Sequence, residues 1–171
     1  MKTLSYCSIL LLSLLVVYIS SCSKDDEISV TYNKICGEWV VSDIQFDVSI
    51  GGENLVDFLM NNYGLTEEEA QAAFDENENA YRDSWTGTME FKEDGTYEFN
   101  VGGENHSSYW FLSDDEKTIH VYFDGYYIDF DIVSVNENTM KLRFDQIYYI
   151  DLNSDGNKEA IAYLNDFTLE K

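Results

Sequence analysis

The residues from Asp151 to Glu159 carry side-chain oxygens at a spacing that suits a metal ion. Carboxylate and amide oxygens alternate along this segment, and Gly156 permits the sharp turn that would bring them onto one centre. The oxygens come from five residues, which are Asp151, Asn153, Asp155, Asn157 and Glu159. Calcium prefers hard oxygen ligands in a flexible arrangement. We therefore predict a structural calcium site in this loop.

The loop differs from a complete EF-hand, in which the twelfth position is a bidentate glutamate. Ala162 occupies that position here, so Glu159 would have to supply the missing ligand, as in the shorter calcium loops of exported β-proteins. The alternative is an ordinary Asp-Gly turn between two strands, which Asp155 and Gly156 favour for backbone reasons alone. Neither interpretation gives the loop a catalytic role, because no catalytic group stands beside it.

The other reactive residue types do not form a catalytic set in the sequence. Cys36 has no histidine near it, and the two histidines, His106 and His120, lack nearby thiolates. A hydrolase needs a nucleophile with its base, or paired carboxylates in a cleft. Neither a G-x-S-x-G elbow nor a phosphate-binding glycine loop occurs. We predict a protein that is not an enzyme, with Cys36 as a buried, inert thiol.

Cys22 ends the segment Ile19-Ser20-Ser21-Cys22, after an N-terminal apolar run and before an acidic stretch. This arrangement resembles a bacterial lipoprotein signal of the kind common in Bacteroidetes-type envelopes, with Ile19 where leucine is most frequent. The resemblance implies that residues 1–21 are a signal peptide and that Cys22 carries a covalent lipid such as palmitate. It also implies anchoring in the outer membrane, with display at the cell surface. An uncleaved anchor is the alternative, although the run is too short and too interrupted for a good transmembrane helix.

The chain of 171 residues has a formal net charge of −23. Such a surface repels phosphates and lacks the basic patch that nucleic acid requires, so nucleic acid is excluded as a partner. Nothing in the composition marks a linker between domains. We predict a lipidated tether over residues 22–34, followed by one domain over residues 35–171.

The hydrophobic pattern of this domain is mainly that of β-strands. The first strand, from Gly37 to Ile50, changes its apolar phase midway, as a β-bulge requires. Short turns connect the later segments, which demands antiparallel neighbours. The pattern predicts eight strands, near residues 37–50, 85–91, 97–101, 108–112, 118–123, 126–135, 140–150 and 159–170. Eight strands are the number at which such a meander can close into a barrel with room for one small ligand.

Residues 53–83 interrupt the strands with a helical pattern. Apolar residues recur at helical spacing from Leu55 to Leu59, and Gly64 ends that run. Thr66 and Glu69 form a capping box for a second helix that extends to about Tyr81. We therefore predict a two-helix insert between the first two strands, acting as an amphipathic cover.

Several short motifs in this order resemble the pattern of lipocalin-like lipoproteins. Gly37-Glu38-Trp39 resembles the G-x-W signature, and Asp94-Gly95-Thr96-Tyr97-Glu98-Phe99 resembles the D-G-T-Y-x-F cadence, followed by Tyr109–Asp115 and Lys117–Ile119. The resemblance implies an eight-stranded antiparallel up-and-down barrel whose tryptophan, Trp39, closes one end. It further implies a late arginine against that tryptophan, for which Arg143 is the candidate, in a cation–π contact.

The resemblance leaves two interpretations of function. In the first, the barrel binds a small apolar or amphipathic ligand, which needs a cavity of about 300 Å³ or more. In the second, side chains fill the barrel, and tyrosine-rich strands present an aromatic surface to a protein or glycan partner, with structural calcium in the loop. The tyrosines concerned are Tyr122, Tyr126, Tyr127, Tyr148, Tyr149 and Tyr163.

Overall fold

The computed structural model describes residues 29–101, 103–123, 125–152 and 156–171. These residues form three helices, α1 (Val30–Ile35), α2 (Leu55–Tyr63) and α3 (Glu67–Trp85). The strands are β1 (Gly37–Ile50), β2 (Glu53–Asn54), β3 (Gly87–Phe91), β4 (Thr96–Val101), β5 (Glu104–Leu112), β6 (Thr118–Phe123), β7 (Tyr126–Val135), β8 (Thr139–Ile150) and β9 (Glu159–Glu170). None of the helices in these ranges is both long and apolar enough to cross a membrane. Cys22 and the predicted signal peptide lie outside the described residues.

The sheet is an antiparallel meander that closes on itself. Strands β3 to β9 each pair with the next, and β1 completes the circle by pairing with both β3 and β9. Gly37 to Val40 pair with β3, and Val40 to Ile50 run along β9 with a register shift between Val41 and Asp43. The predicted eight-stranded up-and-down barrel and the phase change in β1 are therefore confirmed. The two-residue β2, which pairs with the end of β1, is an addition.

The alternation of strands gives the barrel two different ends. The turns β3–β4, β5–β6 and β7–β8 lie at one end together with α1, and we call this the closed end. The turns β4–β5, β6–β7 and β8–β9 lie at the other end together with the helical insert, and we call this the open end. Up-and-down connectivity alone imposes this division.

Trp39 fills the closed end. Its side chain is fully buried, and its indole Nε1 donates a hydrogen bond to the carbonyl oxygen of Ile35 at 2.6 Å. The ammonium of Lys171 lies 4.4 Å from the centroid of the Trp39 ring. That ammonium also donates to the carbonyl oxygens of Lys34 and Cys36, at 3.1 and 2.9 Å. A cation thus holds the start of β1 against the end of the chain.

The cation over Trp39 was predicted to be Arg143, and that prediction is wrong. Arg143 lies between the buried residues Leu142 and Phe144 on β8, so its own side chain faces the outside of the barrel. There it forms a bidentate pair with Asp166, with Nε and Nη2 at 2.8 and 2.9 Å from the carboxylate oxygens.

Helix α1 lies within the stretch that the sequence presented as a tether. Ser29 caps it by accepting a hydrogen bond from the Tyr32 amide at 3.0 Å. The Tyr32 ring stacks on Trp110 at a centroid distance of 4.7 Å, and Ile35 is fully buried. The chain is therefore packed against the barrel from Ser29 onward.

The helical insert covers the part of β1 that extends beyond the bulge. Asn54 caps α2, Gly64 ends it with a left-handed φ of 70°, and the predicted capping box of Thr66 and Glu69 begins α3. The Tyr81 ring of α3 stacks on Phe46 of β1 at 4.6 Å. The insert is thus confirmed as an amphipathic cover.

Helix α3 ends one turn later than predicted. Trp85 belongs to its last turn, whereas the sequence placed this residue at the start of a strand. The inward direction of Trp85 was correct, because its ring lies 5.1 Å from Phe167 in the barrel interior. The last turn of a helix and the first residue of a strand can point one side chain to the same side, so alternation alone did not separate them.

Candidate functional site

A cavity of about 440 Å³ occupies the open half of the barrel. Its floor consists of ring side chains that point inward from successive strands, Phe99 of β4, Phe130 of β7 and Phe144 of β8. The indole of Trp85 enters from α3 and meets these rings at centroid distances of 5.4, 6.4 and 6.4 Å. The cavity therefore lies on an aromatic floor that is itself well packed.

The floor separates a filled half of the barrel from an unfilled one. Within the floor, Phe130 and Phe144 lie 5.4 Å apart, and Phe167 packs beneath it against Trp85. The side chains of Trp39, Met89 and Phe91 fill the closed half with almost no exposure. The two interpretations of the sequence, a filled barrel and a ligand cavity, thus each describe one half of the molecule.

The mouth of the cavity is more polar than its floor. Glu104 and His106 of β5, Phe123 of β6, Tyr126 of β7 and Gln146 of β8 line it. His106 Nε2 lies 3.7 Å from the Glu104 carboxylate, and its ring meets Phe123 edge-on at 5.1 Å. A few polar groups at the edge of an apolar cavity are typical of small-molecule sites, where they orient the ligand.

Beside this mouth, the barrel wall opens between strands β5 and β6. Among the described residues, strands β5 and β6 form three pairs, Trp110↔Val121, Phe111↔His120 and Leu112↔Ile119, all near the closed end. Hairpins β4–β5 and β6–β7 are each paired to their tips, at Val101↔Glu104 and Phe123↔Tyr126. The two hairpins therefore diverge toward the open end.

The gap between the two hairpins offers a route into the cavity. A further depression of about 520 Å³ follows it, lined by Asn105 to Ser108 on one side and by Tyr122 and Phe123 on the other. His106 and Phe123 line both this depression and the cavity. The depression and the cavity are therefore adjacent to each other at the side of the barrel.

Tyr81 lines the cavity, but its hydroxyl oxygen is buried and has no accessible surface there. No described residue meets hydrogen-bond geometry with this oxygen. Burial raises the pKa of Tyr81 above its ordinary value, and the nearby Trp85 side chain lowers it by less, so the group stays a neutral phenol. A buried hydroxyl without a hydrogen bond costs free energy of folding.

No lysine or arginine belongs to the described lining of this cavity. The nearest arginine along α3, Arg82, is already paired with Asp43 at 3.0 Å and with Glu78 at 2.9 Å. The hydrogen bonds that Arg82 donates to these two carboxylates raise its pKa further. Among the lining residues that the structure describes, Glu104 and His106 are the ionisable groups besides tyrosines.

A row of aromatic side chains lies on the outside of strands β5 to β7. Phe111 stacks on His120 at 4.6 Å and meets Tyr127 edge-on at 5.6 Å, and Tyr122 meets Tyr127 at 5.3 Å. Phe111 is 48% exposed and Tyr127 57% exposed. His120 Nδ1 lies 2.7 Å from the carboxylate of Asp129. We call these four rings the outer aromatic row.

The tyrosines that the sequence grouped together are divided among different surroundings. Tyr122 and Tyr127 belong to the outer aromatic row, whereas Tyr126 lines the mouth of the cavity. Tyr148 and Tyr149 are exposed on β8, and Tyr163 packs against Phe46 at 6.0 Å. Strand alternation explains the division, because neighbouring tyrosines point to opposite faces.

The predicted calcium loop connects β8 and β9 at the open end. Asp151 Oδ2 accepts a hydrogen bond from the Gly156 amide, and Glu159 Oε2 accepts one from the Leu152 amide, both at 3.0 Å. Asn153 and Asp155 lie outside the described residues, while Asn157 lies within them. Within the described ranges, no group of three or more histidine, cysteine, aspartate or glutamate side chains could hold a metal. The calcium site stays a prediction.

Cys36 lies half-buried between α1 and β1. Burial, followed by the nearby Glu93 carboxylate, raises the pKa of its thiol, and Lys171 opposes that shift. A raised pKa leaves little thiolate near neutral pH, which disfavours a nucleophilic role. The adjoining signature residues Gly37 and Trp39 begin β1 and position the closed end.

Comparison with known proteins gives only distant similarities. No family model matches the chain, and no curated protein matches it. A DUF4847 family protein from Bacteroides vulgatus shares 15% sequence identity with a TM-score of 0.39, over 79% of this chain and 96% of that one. Bovine odorant binding protein, solved with its natural ligand, shares 13% identity with a TM-score of 0.35, over 85% of this chain and 77% of that one. Both similarities are too low to transfer a function, so the fold and the cavity rest on this chain's own geometry.

Proposed function

We propose that this protein is a lipid-anchored lipoprotein of the outer membrane that binds a small apolar or amphipathic molecule in its open-end cavity. The single observation that supports this function best is the cavity of about 440 Å³ above the aromatic floor. Its volume exceeds the roughly 300 Å³ at which small-molecule sites begin. Its apolar floor and polar mouth match the usual division of labour between binding energy and orientation.

The contrast between the two halves of the barrel supports a functional reason for the cavity. The closed half shows that the chain can pack aromatic side chains to near-zero exposure, as Phe91 and Phe130 do. In the open half, small or polar residues such as Ser84 and Gln146 line the wall instead. A sequence selected only for stability would fill that space, since empty apolar volume costs stability.

The lipid anchor proposed at Cys22 would attach near the closed end. The described chain starts at Ser29, which caps α1 at that end. Residues 22–28 reach at most about 25 Å even when fully extended. In this arrangement the closed end stays near the membrane, and the cavity mouth is directed toward the surrounding solution. Metabolic labelling with a palmitate analogue, lost in Cys22→Ala, tests the anchor.

Fluorescence titration with the neutral apolar probe N-phenyl-1-naphthylamine tests the proposed binding. We expect saturable binding, with a small-molecule mass excess in native mass spectra of the purified protein. Ser84→Trp places a large ring at the rim of the cavity and should weaken probe binding at least about tenfold. Ser134→Trp makes the same change on an exposed position of β7 and should leave binding unchanged. Equal binding by both variants would contradict a site in the cavity.

The outer aromatic row favours a second function, contact with a glycan or protein partner. Exposed rings on a flat sheet are typical of such contacts. Tyr127→Ser would remove the ring that touches both Phe111 and Tyr122. Loss of binding to a glycan array in Tyr127→Ser, with probe binding in the cavity intact, would support this second function alongside the first. If the protein binds no glycan on the array, a glycan partner for this surface is contradicted.

A further inference from the structure

We propose that the open-end cavity selects organic cations, such as amines with an apolar body, over fatty acids and other apolar anions. This inference rests on the proposed function, because it names the class of ligand for the same cavity. It follows from two features of the lining, namely its aromatic rings and its charges.

The lining is rich in aromatic faces. Eight of its fourteen residues are phenylalanine, tyrosine or tryptophan, and the indole of Trp85 stands at the centre of the floor. The face of an aromatic ring carries negative electrostatic potential and attracts cations, most strongly for tryptophan. The attraction increases when the ligand displaces water from the rings. An aliphatic lining would bind an apolar body equally well without preferring either charge.

The charged groups at the mouth point to the same selection. Glu104 contributes a carboxylate, and no lysine or arginine belongs to the described lining. His106 is the one group of the described lining that could pair with an anion, and the Glu104 carboxylate already lies 3.7 Å from it. A carboxylate ligand would therefore enter without a free counter-charge, which is costly in an apolar site.

Tyr81 adds no charge to this lining. Burial raises the pKa of its hydroxyl, so the side chain stays a neutral phenol. The balance of charge in the described lining therefore rests on Glu104 and His106.

Three naphthalene probes with the same apolar body test the selection by calorimetric titration. They are 2-(1-naphthyl)ethylamine as the cation, 2-(1-naphthyl)ethanol as the neutral molecule and 1-naphthylacetate as the anion. Near pH 7 and about 0.15 M salt, charges beyond about 8 Å are largely screened, so the lining decides the result. We expect the amine to bind at least about tenfold more tightly than the acetate, with the alcohol between them.

Two variants separate the lining from the overall charge. Glu104→Gln should reduce the preference for the amine over the alcohol about threefold, a modest change because its side chain is 80% exposed. Glu137→Gln makes the same charge change in the β7–β8 turn at the closed end and should leave the preference as it is. An equal change in both variants would assign the preference to net charge and overturn the role of the lining.

The outcomes distinguish this inference from the proposed function. Binding of N-phenyl-1-naphthylamine together with equal or tighter binding of the acetate than of the amine would overturn the inference and leave the ligand-binding function standing. Failure of all four probes to bind would overturn the proposed function itself. Tighter binding of the amine, lost in Ser84→Trp, would support both.

Discussion

The two ends of this barrel are packed differently although both are rich in aromatic residues. At the closed end, Trp39, Trp110 and the short helix α1 pack into a filled plug. At the open end, Trp85 stops short of the mouth and leaves a cavity above it. Aromatic content alone therefore does not decide whether a barrel is filled. The two ends differ in how far the side chains of the covering helix reach into the barrel.

The open end also differs in its backbone. Strands near the closed end have a paired neighbour on each side, whereas β5 and β6 separate beyond the pair Trp110↔Val121. The stable plug permits this, because it holds the two hairpins together at their base. We expect substitutions at the closed end to change stability and substitutions at the open end to change binding.

The strongest test of this contrast is Trp39→Ala. Truncation would leave a large void, remove the hydrogen bond to Ile35 and remove the ring that the ammonium of Lys171 contacts. Loss of a buried aromatic side chain costs about 3–5 kcal/mol of unfolding free energy. Urea denaturation measures it, with Phe123→Ala at the open end as the counterpart, expected to cost about 1 kcal/mol. Similar losses in the two variants would break the comparison.

Calcium should act on the open end alone. Asp151→Ala removes a carboxylate of the predicted calcium loop, which also accepts a hydrogen bond from Gly156. If calcium binds, the ion at about ten times its dissociation constant contributes about 1.4 kcal/mol to the native state. We therefore expect the variant to lose more thermal stability in calcium than in chelator, by a few degrees. An equal loss in both buffers would reduce the loop to a turn.

A pair of phenylalanine substitutions compares the polar atoms of the two ends. Tyr81→Phe removes a buried hydroxyl without a partner, so the free protein should gain about 1 kcal/mol of unfolding free energy. Tyr32→Phe at the closed end removes a hydroxyl that donates to Glu93 at 3.2 Å, so stability should fall slightly. The test is whether the two changes in the free energy of unfolding have opposite signs. A loss of stability in Tyr81→Phe would show that its hydroxyl is satisfied.

The smallest effect should come from the outside of the wall, at Asp166. Hydrogen bonds from Arg143 hold the pKa of Asp166 below its ordinary value. A carboxyl with a lowered folded pKa stabilises the native state above its unfolded pKa of about 4, and that contribution disappears as the pH falls through the folded pKa. Asp166→Asn should therefore lower the melting temperature slightly near pH 7 and not at all near pH 2. Solvent exposure keeps the effect small.

The sequence predicted the barrel well because its strands obey local rules. The alternation of apolar and polar residues predicted most strands, and the change of apolar phase in β1 predicted the bulge between Val41 and Asp43. The capping box of Thr66 and Glu69 marked the start of α3. Each of these signals is local, and each has a direct physical cause in backbone geometry.

Other features could not be read locally. Helix α1 has the sequence Val-Thr-Tyr-Asn-Lys-Ile, which is poor in helix formers, so packing of Tyr32 and Ile35 decides its structure. Nothing in the sequence distinguishes Lys171 from other lysines as the cation over Trp39. The cavity depends on how far two hairpins diverge, and each hairpin alone obeys ordinary rules. Long-range contacts thus determined what the local patterns left open.

Closure of β1 on β9 has a kinetic consequence. The pairing joins Val40 to Glu170 and Val41 to Leu169, so the first strand of the barrel cannot find this partner until almost the whole domain has been synthesised. Contacts of such long sequence separation slow folding. A chain that crosses a membrane before it folds, as we propose for this one, benefits from that delay. The same topology that seals the barrel would keep the nascent chain translocation-competent.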